Sequence, residues 1–343
     1  MEFYKLSDYD YRLPPELIAQ EPLPERDSSR MMVLHRNSGI IENTFFKNFS
    51  SYLRRGDILV LNNTRVIPAR LIGRIAGKDT PAELLLLRKE TNAVWVCMVK
   101  PGRKLKPGAS VTFPLGVKAN VTGYAEEGLR LVAFNSPEPF EEMLPRLGQV
   151  PLPPYIKKAV DNPDQYQTIY ALENGSAAAP TAGFHFTEQT FEQLKETGVD
   201  WAYITLHIGP GTFQPVKADD IREHVMHREY FHIDSKTADR LNDAREKGGR
   251  ILAVGTTACR VLESVTDDRG IIHASDDWTG LYIYPGFKFK AVDAMLTNFH
   301  LPRSSLMMLV SALAGHKLIM EAYHKAVEER YRFFSFGDCM LII

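Results

Sequence analysis

Cysteine is scarce in this 343-residue chain: Cys97, Cys259 and Cys339 are odd in number and far apart. That excludes a disulfide framework and fits reduced thiols. Long apolar runs are missing too, since nowhere do about 18 apolar residues follow one another as a spanning helix requires. The first ten residues are polar and mixed in charge, without the apolar core of a signal peptide. These absences lead to the expectation of a soluble, cytoplasmic protein with no membrane partner. Charge of one sign is also lacking: 41 Lys plus Arg balance 42 Asp plus Glu, for a formal net charge of −1. Bulk charge therefore does not mark a nucleic-acid binder, and any RNA contact has to come from a local patch.

Two cofactor signatures are absent. No GxGxxG follows an apolar strand and no GxxxxGK[ST] occurs, so the dinucleotide and P-loop patterns are not met. His224, His227 and His232 imitate metal-ligand spacing, yet no cysteine or carboxylate motif completes a site such as HExxH. No metal is expected, and a histidine-metal hydrolase ranks low among the readings.

What is present is an ordinary globular composition, 44% hydrophobic and 24% charged, long enough for two domains. Between residues 69 and 151 six short strand-like segments follow one another, at 69–75, 82–87, 93–99, 110–113, 119–124 and 129–134. Gly, Pro or Asn punctuates most gaps, and Glu126-Glu127-Gly128 suits a hairpin loop. No helical periodicity of useful length appears there, so the segment predicts a small β-barrel. The stiff run 151–155 (PLPPY) closes it.

On either side the texture is different. Residues 31–35 and 58–61 read as buried strands. After residue 152 helices and strands alternate: a helix running to Thr197 with Thr187 as N-cap, a strand at 201–207, and a helix at 235–247. A strand at 251–254 then runs into a helix, a strand is expected at 281–284, and helices at 305–314 and 317–329 flank Gly315. Segments 333–336 and 340–343 form a closing strand. The expected architecture is a discontinuous α/β domain, 1–68 with 152–343, interrupted by an all-β barrel at 69–151. The proline-rich opening has too little apolar material to stand alone and should join the C-terminal half.

Four polar runs in the second half could carry chemistry. In 179–187 (APTAGFHFT), small residues such as Gly183 permit close backbone approach beside Thr181 and His185, and the run feeds a helix N-terminus that attracts anions. The run 206–213 (LHIGPGTF) puts His207 at the end of a strand, where ligands of α/β sheets bind. In 254–260 (VGTTACR) a strand–glycine–helix turn offers Thr256, Thr257 and Arg260 to a carboxylate or phosphate. The bland reading is that one of these threonines merely caps the helix. In 297–305 (TNFHLPRSS) a serine cap explains Ser304 or Ser305, but not Asn298, His300 or Arg303. Outside these runs, Lys100, Arg103, Lys104 and Lys106 place four cations in seven residues on a barrel loop, usually a solvated turn and the first place to look for phosphate contacts.

Taken together, these runs resemble the S-adenosylmethionine:tRNA ribosyltransferase-isomerases of queuosine biosynthesis over essentially the whole chain. The opening 9–20 (YDYRLPPELIAQ), 56–57 (GD), 61–70 (LNNTRVIPAR) and 178–185 are similar to that family's motifs. So are 205–216, Gly255-Thr256-Thr257 with Arg260, 284–286 (YPG), 296–315 and 334–338 (FSFGD). Ala258-Cys259 stands where Ser-Val is usual, Gly280 where an acidic residue is common, Phe184 in place of leucine and Leu172 in place of a basic residue. These departures touch pocket lining and leave the histidines, Arg260 and the threonines intact.

The resemblance implies that S-adenosylmethionine is consumed as a ribosyl donor, with no metal or redox cofactor. The implied acceptor is the aminomethyl group of 7-aminomethyl-7-deazaguanine at the tRNA wobble position, and the implied products are epoxyqueuosine-tRNA, adenine and methionine. Such a reaction needs a base for the carbon beside the sulfonium and an acid for the departing adenine, tasks suited to histidine near neutral pKa. His185, His207 and His300 are the expected acid/base set. Thr181, Gly183, Thr256, Thr257, Arg260, Asn298 and Arg303 are expected around substrate, and Arg65, Arg70, Arg103, Lys104 and Lys106 on tRNA. A monomer is expected, with a weak dimer left open. The competing reading is a non-catalytic tRNA-binding protein.

Overall fold

The central strands of the larger sheet arise from short apolar runs that are mostly buried, as strands covered on both faces must be. In chain order its first strands are β1 (Arg30–His35), buried at its four inner positions, β2 (Ile40–Phe45), an antiparallel edge strand with no buried residue, and β3 (Ile58–Asn62), buried at every position. A computed structural model describes residues 3–158, 162–209 and 216–343. It divides into two compact units: Met1–Thr64, Pro154–Glu173 and Pro180–Ile343 form one, and Arg65–Pro153 with Asn174–Ala179 the other.

The second unit holds a closed barrel. After β4 (Thr64–Val66) come β5 (Arg70–Ile75), β6 (Pro81–Lys89), β7 (Val94–Lys100), β8 (Ser110–Thr112), β9 (Lys118–Tyr124) and β10 (Arg130–Asn135). They close in the order β10-β7-β6-β5-β8-β9, and each pairing is antiparallel. β5 alternates exposed and buried residues strictly. Its inward residues Leu71 and Ile75 join Leu84, Leu86, Val111, Val121 and Val132 in the barrel core. One element departs from expectation: α1 (Phe140–Leu147) follows the last strand. Pro145 reads as a helix breaker, but Phe140, Met143 and Leu144 share one buried face.

β11 (Glu173–Ser176) falls, but for its first residue, in the second unit. The first unit continues with α2 (Glu188–Thr197), β12 (Asp200–Leu206), β13 (Glu229–Ile233), α3 (Ser235–Glu246), β14 (Ile251–Val254) and α4 (Thr256–Val265). It ends with β15 (Ser275–Thr279), β16 (Ala294–Asn298), α5 (Ser305–Ala314), α6 (His316–Glu328) and β17 (Cys339–Ile342). The nine-stranded sheet runs β15-β13-β12-β3-β14-β16-β17-β1-β2. β12, β3, β14 and β16 are mutually parallel, whereas β17 and β1 run the other way. Met31, Leu59, Leu61, Leu252 and Val254 pack in one cluster with Phe186, Phe191 and Leu194 of the α2 region. Each such side chain contributes about 1.5–3 kcal/mol by burial.

α2 begins as its sequence requires: Thr187 Oγ1 accepts from the Thr190 N–H at 3.2 Å, and Gly198 ends the helix with φ +74°. Phe186 and Phe191 pack across that start with tilted rings, centroids 5.6 Å apart. The opening segment joins the late residues, as Leu17 accepts from the Phe333 N–H and Ile18 bridges to Phe333.

Two expected strands are irregular. At 281–284 the ladder groups are taken by side chains: Arg260 donates to the Leu281 carbonyl and Thr279 accepts the Leu281 N–H. At 333–336 Phe334 has φ +72° and Gly337 turns back onto it, so the closing strand starts only at Cys339. β13 and β15 carry too many polar residues to be read as strands from pattern alone. Among the described residues no single helix is long and apolar enough to cross a membrane; α5 and α6 pass that test only as a pair bent by 117°.

Candidate functional site

Because β12, β3, β14 and β16 are parallel, their carboxyl ends share one edge of the sheet. His207, Asn62, Gly255 and Asn298 are thereby set side by side, the place where open α/β sheets bind ligands. The amino ends of β17 and β1 fall on the same edge, which adds Asp338 and Ser29. From β12 to β16 there are three strand spacings, roughly 14 Å.

Asn62 ties the row together. Its Oδ1 accepts from the N–H groups of Thr64 and Leu206 at 3.1 and 3.0 Å. Its Nδ2 donates to the Leu206 carbonyl at 3.0 Å and to Thr257 Oγ1 at 3.3 Å. A buried amide thus spends its donors and acceptor on β12, the start of β4, and the first turn of α4.

At the β12 end, His207 Nδ1 lies 2.8 Å from Thr64 Oγ1, and its ring stacks on Tyr230 with centroids 5.4 Å apart. Among the described residues its Nε2 has no hydrogen-bond partner. Burial lowers its pKa to about 4, so the ring is neutral at pH 7. Its neighbours Gly211, Thr212 and Phe213 lie outside the described residues.

At the β16 end, His185 closes the 3-10 turn Thr181–His185. The Asn298 amide donates to the Phe334 carbonyl at 2.9 Å, which turns its Oδ1 toward His185 Nε2 at 3.2 Å. The imidazole therefore donates from Nε2 and accepts the Ser29 hydroxyl at Nδ1, 2.7 Å away. Burial lowers the His185 pKa to about 4, against the opposing Asn298 bond and with help from the charges of Arg332 and Arg26. Beside it opens a small cleft lined by Arg26, Ser29, Phe184 and Phe336.

His300 follows β16. Its Nε2 is hydrogen-bonded to Thr297 Oγ1 at 2.9 Å, its N–H donates to Tyr323 and its carbonyl accepts from Tyr11. Burial lowers its pKa to about 3. The expectation of histidines near neutral pKa is therefore corrected: desolvation lowers all three and favours the neutral form.

Neither Thr256 nor Thr257 caps α4. The N-cap is Gly255, with φ +88° and no side-chain cap, and Thr257 serves Asn62 instead. Among the described residues the first N–H groups of α4 therefore meet no side-chain acceptor. Arg260 is not a free cation: it forms a buried ion pair with Glu229 and donates to the carbonyls of Leu281 and Thr279. Glu229 also accepts the Gly209 N–H at 2.9 Å, which anchors Gly209 two residues after His207.

The remaining expected residues are more dispersed. Thr181 is half-buried; at Gly183 a Cβ would lie 2.0 Å from the Tyr170 hydroxyl, so packing alone requires the glycine. Ser304 caps α5 by accepting from the Met307 N–H. Arg303, exposed, pairs with Asp10. Arg65 is half-buried on β4, and Arg70 pairs with Glu83. Arg103, Lys104 and Lys106 are exposed on the loop after β7. His232, expected to be no ligand, pairs with Asp276, and no three His, Cys, Asp or Glu side chains converge among the described residues.

Sequence reasoning passed over Ser29, Asn62 and Thr64. An asparagine directly closing the apolar run 58–61 was the available signal for Asn62, but it reads equally as a turn.

Residues 6–342 match the family described as queuosine biosynthesis protein. The chain is 54% identical over 339 residues to the S-adenosylmethionine:tRNA ribosyltransferase-isomerase of Acetivibrio thermocellus, covering 98% of this chain and 99% of that one. It is 53% identical over 340 residues to the protein of the same description from Thermoanaerobacter sp., covering 99% and 100%. Among solved structures it is similar to the S-adenosylmethionine tRNA ribosyltransferase of Thermotoga maritima, at 39% identity and TM-score 0.56, covering 98% of this chain and 100% of that one.

Proposed function

The chain belongs to the queuosine biosynthesis protein family; it acts as an S-adenosylmethionine:tRNA ribosyltransferase-isomerase, and we propose that its acceptor is the aminomethyl group of a 7-aminomethyl-7-deazaguanine wobble base. A purely tRNA-binding role is set aside by that membership. The products of the proposed reaction are epoxyqueuosine-tRNA, adenine and methionine. S-adenosylmethionine is consumed as donor, and the reaction calls on no further cofactor.

The observation that carries the residue assignment is the row along the carboxyl edge, in which His207 alone of the three histidines is both half-buried and left with a ring nitrogen, Nε2, without a partner among the described residues. A base must take the proton from the carbon beside the sulfonium, whose positive charge acidifies it. His185 has both ring nitrogens committed, and His300 shares its Nε2 with Thr297 and is buried, whereas His207 is half-buried. His207 keeps its Nε2 lone pair and is the base in this reading. His185 and His300 stand roughly 14 Å away at the β16 end and, held neutral, supply hydrogen bonds there.

The methionine carboxylate belongs at the N-terminus of α4, where uncapped N–H groups and the helix dipole favour an anion. Arg260, on the same helix, is engaged by Glu229, which also holds the Gly209 N–H. Arg103, Lys104 and Lys106, exposed on a barrel loop, suit phosphate contacts with tRNA.

The test is incubation with S-adenosylmethionine and tRNA carrying the deazaguanine. Mass spectrometry should show the nucleoside gaining an epoxycyclopentanediol unit, with adenine and methionine released in equal amounts. Methyl transfer instead would overturn the proposal. Of the alanine variants at His185, His207 and His300, the one at His207 should lose most turnover while still binding tRNA.

A further inference from the structure

Thr64 is not among the polar runs that point to chemistry, yet it is the residue that touches His207. Its N–H is fixed by Asn62 Oδ1 at 3.1 Å. Its hydroxyl lies 3.4 Å from the carbonyl of Glu173, whose own N–H is held by the Asn63 carbonyl at 3.1 Å. A carbonyl can only accept, so a Thr64 hydroxyl that keeps both contacts spends its single proton on Glu173. The Thr64 oxygen then presents lone pairs to His207 Nδ1, 2.8 Å away.

We propose that Thr64 is a positioning residue for ribosyl transfer: it accepts the Nδ1–H of His207 and thereby places the imidazole lone pair on Nε2, toward substrate. The tautomer of a histidine base is set by the bond its other nitrogen makes. In this site that bond comes from a hydroxyl braced at both ends, by Asn62 through the backbone and by Glu173 through the proton. Asn62 also holds both the N–H and the carbonyl of Leu206, the residue before His207. Ring and backbone of His207 are therefore oriented from the same strand end. The inference rests on His207 being the base.

Three full-length variants test it: Thr64→Val, Thr64→Ser and His207→Gln. Thr64→Val should lower kcat about 10- to 100-fold, as loss of a group orienting a functional histidine does, with the KM for S-adenosylmethionine unchanged. Thr64→Ser, which keeps the hydroxyl, should recover most of the turnover. In the unaltered protein, 15N spectra of labelled histidine, assigned through His207→Gln, should show His207 protonated at Nδ1 and bare at Nε2. A His207 ring protonated at Nε2 overturns the proposal even if the valine variant fails to fold. If His207→Gln abolishes turnover and Thr64→Val matches the parent, only the positioning role falls. If His207→Gln turns over normally, the base assignment falls and takes this role with it.

Discussion

Asn298 and His185 fix one another: the amide oxygen of Asn298 lies 3.2 Å from His185 Nε2, and its nitrogen is anchored 2.9 Å from the Phe334 carbonyl. Both side chains are buried, so neither can exchange the other for water. Replacing Asn298 by alanine should leave the His185 N–H unpaired and cost roughly 1–3 kcal/mol. Urea unfolding would read this as a lower midpoint with an unchanged slope. A midpoint equal to the parent's would mean the amide is not what holds the ring.

Acid should destabilise the fold earlier than carboxylate titration alone requires. His185 and His207 titrate at about 4 and His300 at about 3 when folded, against 6.5 without burial. Below 6.5 the unfolded chain takes up protons that the folded chain refuses, so stability is fully present above that pH and declines toward pH 4. His185 and His300 account for on the order of 3 kcal/mol each by the end of that range. Stability measured from pH 7.5 to 4.5 should fall with each step below 6.5. A flat profile would contradict the burial of these rings.

Arg260 and Glu229 are each about 5% exposed at the side chain. Arg260→Ala would strand the Glu229 carboxylate in the interior and should cost about 3–5 kcal/mol. Lysine should not rescue it, because the fork also donates to the Leu281 and Thr279 carbonyls. Thermal melting decides. An alanine variant as stable as the parent but unable to bind S-adenosylmethionine would put the guanidinium on the ligand.

In the proposed function the loop cations have a role toward tRNA and none toward S-adenosylmethionine. Changing Arg103, Lys104 and Lys106 to glutamine should weaken tRNA binding and reduce the salt dependence of log K by about 2–3. S-adenosylmethionine affinity should not change. Arg70, already paired with Glu83, should contribute less. An unaltered salt slope would remove this loop from the interface.

Local pattern reaches the barrel strands, the Thr187 and Ser304 caps and the stop at Gly198 because each depends on neighbours within a few residues. It fails at 281–284 and 333–336, where long-range partners take the backbone groups, and at α1, where burial of one face overrides a proline. The same limit governs the site. His185, His207, Asn298 and His300 could be named as candidates from the company they keep in the sequence.

Which of them is free to act could not. The amino-acid order by itself determined the α/β and barrel classes, the family motifs and the polar residues at the strand ends. The tertiary structure decided the rest: that Arg260 is consumed by Glu229, that His185 is bonded on both sides, and that Thr64 meets His207 from 143 residues away in sequence. Hydrogen-bond partners and desolvation are set by what the fold brings together, and a ring's protonation follows from those two things.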